Sequence, residues 1–71
     1  MSYHEKKSLS VIGKFIDGID ICTADLMKLG ASVYGLTHLE KAGLVAGIKI
    51  RRAGKWWRIT PAGRKALEEA E

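Results

Sequence analysis

Eight cations follow one another through the second half of the chain: Lys41, Lys49, Arg51, Arg52, Lys55, Arg58, Arg64 and Lys65. No Asp or Glu interrupts them between positions 41 and 65. Solvated protein faces ordinarily mix the two signs, so an acid-free run suits a polyanionic partner, with nucleic acid first and an anionic membrane surface second. The net charge of +4 understates the asymmetry. Residues 1–35 carry four Lys and four acids, which cancel, whereas residues 36–71 carry eight basic and four acidic side chains. Around position 38, Tyr34, Thr37, His38 and Lys41 fall at the spacing of one helix side. An aromatic, a hydroxyl, an imidazole and a cation on one such side suit base edges and phosphates. That side carries no Arg, Asn or Gln, the usual bidentate partners of guanine and adenine, so direct readout there is not guaranteed.

Other chemistries find little support. Gly54-Lys55 superficially suggests a phosphate loop, but six residues rather than four separate Gly47 from Gly54, and Trp56 stands where Ser or Thr would bind magnesium. Cys22, His4 and His38 are too few and too scattered for a zinc site, and they offer no nucleophilic triad. Neither an enzyme nor a cofactor or metal is expected. Trp56 beside Arg58 could stack on single-stranded bases, although a core with so few aromatics needs at least one Trp for packing.

Seventy-one residues, 46% of them apolar and 28% charged, describe one small globular domain spanning 1–71, with residues 1–7 expected to be flexible. A chain of this size hides only about 60% of its unfolded surface. The lone Cys22 cannot staple it internally, so a homodimer stays open. No secretory signal is recognisable, because Lys14 interrupts the apolar stretch after Lys6 and Lys7. The longest apolar run, Leu44–Ile48, is far short of the roughly 20 residues a membrane span requires. A cytoplasmic, nucleoid-associated location without membrane contact is the expectation.

The elements that position these residues follow from periodicity. Leu9, Val11, Ile12, Phe15, Ile16 and Ile19 predict a first helix over about Leu9–Asp17, capped by Ser8 and stopped by Gly18. Ile19–Cys22 alternates long enough for a strand stub. Thr23 is expected to cap a two-turn helix ending at Gly30, and Ser32 to cap another that runs to about Ala42 before Gly43. One or two residues around Gly30-Ala31 would join them. In the latter helix Ser32, Leu36 and Leu39 fall inward, with Val33 and Gly35 at the edges. Leu44–Ile50 and Lys55–Ile59 flank Arg51-Arg52-Ala53-Gly54 as a hairpin, in which Trp57 is expected buried and Trp56 exposed. Thr60-Pro61 starts a last helix to about Ala70, weakened by Gly63.

Within this frame, Ser32-Val33-Tyr34-Gly35-Leu36-Thr37-His38-Leu39-Glu40-Lys41-Ala42-Gly43-Leu44-Val45 resembles the recognition helix of bacterial winged-helix regulators, where Leu-x-x-Leu-Glu-x-x-Gly-Leu-Val recurs. Trp56-Trp57-Arg58-Ile59-Thr60-Pro61-Ala62-Gly63-Arg64 is similar to the segment that ends the wing in the PadR- and MarR-like groups. The resemblance covers about residues 21–67, in order and spacing. Together the two motifs are fairly specific for the fold and less so for a subfamily, and fold does not fix function.

The resemblance implies an α+β winged helix-turn-helix: a three-helix core, a two-stranded β-wing and a short C-terminal helix. It further implies a transcriptional regulator or repressor of double-stranded DNA. Ser32, Tyr34, Thr37, His38 and Lys41 would line the major groove. Arg51, Arg52 and Lys55, with Lys49 and Arg58 in the flanking strands, would form the wing on the backbone. The larger regulators carry long additional helices for dimerisation or effector binding, which have no counterpart before Glu71. No small-molecule effector is therefore expected, and a dimer would have to use the first helix, the last helix or the wing. The competing reading is a winged-helix module that docks a protein through Trp56, Tyr34 and the basic wing.

Overall fold

The computed structural model describes residues 2–52 and 54–70. Its elements in chain order are α1 (Tyr3–Ile12), β1 (Ile21–Cys22), α2 (Thr23–Lys28), α3 (Val33–Lys41), β2 (Val45–Ile50), β3 (Gly54–Ile59) and α4 (Pro61–Ala70). The three strands form one antiparallel sheet in the order β1-β3-β2. The architecture is a small α+β fold of four helices and a three-stranded sheet. Ala53, which the sequence places in the hairpin turn, lies outside the described residues.

The largest departure from the sequence expectation is α1. It begins at Tyr3 rather than Leu9 and stops at Ile12 rather than Asp17. Ser2, not Ser8, is its cap, accepting the Glu5 N–H. Ser8 is buried in the helix interior, where its hydroxyl accepts the Ser32 N–H at 3.0 Å. The helix ends at Gly13 because Arg64 of α4 gathers the turn that follows. Its guanidinium donates to the carbonyls of Gly13 (2.7 Å) and Phe15 (3.0 Å) and to the Asp17 carboxylate (2.6 Å). Phe15 still packs against the core, whereas Ile16 and Ile19, which extended the apolar stripe, are exposed.

Thr23 also differs from its expected role. It is the first residue of α2, with Cys22 in the cap position contributing no side-chain bond. Its hydroxyl instead donates to the Lys55 carbonyl at 2.7 Å and accepts the Trp57 indole N–H at 2.8 Å, tying α2 to β3. The residues joining α2 to α3 are Leu29–Ser32, longer than expected, with Gly30 at φ 107°.

From Ser32 onward sequence and structure agree closely. Ser32 caps α3 through the Gly35 N–H at 3.0 Å, and Gly43 follows the helix at φ 79°. The hairpin pairs Val45 with Ile59, Gly47 with Trp57 and Ile48 with Trp56. Facing residues of an antiparallel pair share one side of the sheet. Val45, Ile59, Trp57 and, from β1, Ile21 therefore cover the helices, while Ile48, Ile50, Trp56 and Cys22 belong to the outer side. Trp57 is 1% exposed. Trp56 is half-buried rather than exposed.

The core joins Leu9, Val11 and Ile12 of α1 with Leu26, Ala31, Leu36 and Leu39 and with the inward sheet residues. Thr60 caps α4 as expected, accepting the Gly63 N–H at 3.0 Å and donating to the Gly43 carbonyl at 2.8 Å. Gly63, which weakens a helix by propensity, is required by packing. A Cβ there would overlap the Leu44 carbonyl.

Candidate nucleic-acid interface

Leu36 and Leu39 point into the core and fix the rotation of α3, which turns Tyr34, Thr37, His38 and Lys41 outward as one group. Ser32, also expected on this surface, is half-buried and its hydroxyl is committed to the helix cap. Tyr34 is 57% exposed, and its ring lies 4.3 Å from that of His38 one turn on. Lys41 is exposed without an acidic partner among the described residues.

Two further interactions fix where α3 starts. The Ser8 hydroxyl holds the Ser32 N–H, and Gly35 presses against the His4 carbonyl and the Ser8 hydroxyl so closely that a Cβ would overlap both. The first turns of α1 and α3 are therefore in direct contact.

Acidic partners from elsewhere in the fold divide the cations of the second half into two groups. The Lys55 ammonium meets Glu40 at 2.8 Å and lies 4.4 Å from the centre of the Trp57 ring, over Gly47, which leaves the room. Arg58 grips both carboxylate oxygens of Asp20, at 2.7 and 3.1 Å. Those hydrogen bonds hold the Asp20 carboxyl below its ordinary pKa and raise that of Arg58. Arg64 is committed to Asp17 and the α1–β1 turn. Lys49, Arg51, Arg52 and, on α4, Lys65 are exposed with no acidic partner among the described residues, and Arg52 adopts a left-handed φ of 69° at the hairpin tip.

Of the ten positions singled out from sequence, the structure groups Tyr34, Thr37, His38 and Lys41 on α3, and Lys49, Arg51 and Arg52 on the hairpin. Ser32, Lys55 and Arg58 serve internal interactions. Tyr3 and His4, which sequence reasoning missed, lie beside Tyr34: the His4 ring is 5.8 Å from Tyr34 and 5.6 Å from Tyr3. The Ser2-x-x-Glu5 spacing, a helix-start signature, is the signal that could have found them.

A shallow depression of about 250 Å³ is lined by Asp17, Gly18, Arg58, Ile59, Thr60 and Pro61. Both of its acid–base side chains, Asp17 and Arg58, are already paired with Arg64 and Asp20. Among the described residues no helix is long and apolar enough to cross a membrane, and no group of three or more His, Cys, Asp or Glu could hold a metal ion. No known protein family, curated protein or solved structure matches the chain.

Proposed function

We propose that the chain is a winged helix-turn-helix protein that binds double-stranded DNA as a small transcriptional regulator, with α3 in the major groove and the β2–β3 hairpin on the backbone. The order α1-β1-α2-α3-β2-β3-α4, with the first strand paired onto the hairpin, supports the fold assignment. The observation that carries the function is the sorting of charge. Lys55, Arg58 and Arg64 are neutralised within the fold, whereas Lys41, Lys49, Arg51, Arg52 and Lys65 remain for an external anion. Phosphate binding by such cations supplies affinity and orientation, and the side chains of α3 supply whatever sequence preference exists.

The protein-docking alternative draws less support. It joins Trp56 and Tyr34 in one patch, yet Trp56 sits on the outer side of the sheet with Ile48 and Cys22, while Tyr34 sits on α3 among histidine rings. Titration of a random-sequence duplex across a salt series tests the proposal. The logarithm of the affinity should fall linearly with log salt, and absence of binding even at low salt would refute it.

A further inference from the structure

The chain contains two tyrosines and two histidines, and all four form one continuous run of ring contacts. Tyr3 meets His4 edge-on at 5.6 Å, His4 meets Tyr34 edge-on at 5.8 Å, and Tyr34 lies tilted over His38 at 4.3 Å. None of the four belongs to the buried core, and Tyr3 and Tyr34 are 73% and 57% exposed. On the same helix as Tyr3 and His4, the Lys7 side chain crosses Gly30 in the turn before α3, and Lys7 has no acidic partner among the described residues.

We propose that the first turn of α1 belongs to the same DNA-contacting surface as α3, with His4 positioning the Tyr34 ring and Tyr3 adding a second exposed aromatic. This rests on the duplex-binding reading above. A lone tyrosine on an exposed helix loses rotamer freedom when it meets a partner, whereas a ring already held between two imidazoles has less to lose. Tyr34 is held in this way, by His38 from its own helix and by His4 from α1. The His4 carbonyl is also pressed onto Gly35, which sets the backbones that carry His4 and Tyr34 directly against each other. Such rings suit apolar contact with thymine methyl groups, and the tyrosine hydroxyls and the Lys7 ammonium suit base-edge acceptors or phosphates.

The test selects an enriched site from a random duplex pool with the unaltered protein. Preference for that site over random DNA is then measured for His4→Ala, His4→Phe and the pair Arg51→Ala with Arg52→Gly. Ring resonances of Tyr34 are followed by NMR in the same proteins without DNA. His4→Ala should lower the preference roughly threefold to tenfold, the range of an aromatic pair, and should shift the Tyr34 resonances. His4→Phe should retain most of the preference. If His4→Ala keeps the preference, or leaves Tyr34 unshifted, while the arginine pair loses salt-dependent affinity, the inference fails and the duplex-binding reading stands. If the unaltered protein binds no duplex, both fail together.

Discussion

The Lys55 ammonium sits 2.8 Å from the Glu40 carboxylate, so a cation that the sequence places in an acid-free run is neutralised by an acid fifteen positions earlier. Antiparallel pairing of β2 and β3 brings this about by setting Gly47 opposite Trp57 and opening a channel for Lys55 across the ring. Lys55 is therefore part of the fold more than of the interface. Lys55→Ala should cost about 1 kcal/mol of stability through removal of the ion pair and the cation–ring attraction. It should leave the salt dependence of DNA binding nearly unchanged, a contrast that paired denaturation and salt titrations would reveal.

The hairpin tip should behave in the opposite way. Arg51→Ala combined with Arg52→Gly should weaken binding to all duplexes alike and reduce the log–log salt slope by roughly one unit for each phosphate no longer neutralised. Stability should not suffer. Arg52 occupies a left-handed conformation at φ 69°, and glycine there should gain about 1 kcal/mol. Thermal unfolding of the same protein separates weakened binding from weakened folding.

The sequence made the segment from Ser32 to Ala70 legible because each boundary there is set locally. Ser32 caps its own helix, Gly43 and Gly54 take positive φ where the chain turns, and Thr60-Pro61 opens α4. The amino-terminal third is harder to read because its determinants are distant in sequence. Ser8 has the type of a cap but serves Ser32, and Thr23 has the type of a cap but serves Trp57. The apolar stripe suggests a helix through Phe15 and Ile16, while Arg64, far along the chain, captures the carbonyls of Gly13 and Phe15. The same reason limits the site. Unbroken positive charge in the sequence points to a polyanion, but only the fold assigns acids to Lys55, Arg58 and Arg64.

Asp20 links stability to pH. The Arg58 hydrogen bonds lower its pKa from the usual 3.8. The folded protein therefore binds this proton less readily than the unfolded chain. The contribution is present above the unfolded value and disappears as pH falls through that value and then through the folded one. Asp20→Asn should accordingly flatten the acid side of the stability profile below about pH 5 and leave the neutral-to-alkaline side parallel to that of the unaltered protein. Melting temperatures recorded across the acid range give the comparison.

Gly63 separates helix propensity from packing. By propensity alone, Gly63→Ala inside α4 should stabilise by about 1 kcal/mol. The Leu44 carbonyl occupies the space, and it is backbone that cannot swing aside. Gly63→Ala should instead destabilise by about 1–3 kcal/mol, read as a drop in melting temperature. An increase would show that α4 sits farther from β2 than described.

DNA binding by this chain rests most on the outward face of α3 meeting the duplex. Selection of enriched sites from a random duplex pool, by the unaltered protein and by Tyr34→Ala, addresses this directly. A recurrent site for the unaltered protein, altered or abolished with Tyr34→Ala while salt-dependent affinity for random DNA persists, is the expected result. Absence of duplex binding at low salt, or an enriched site identical for both proteins, would contradict it.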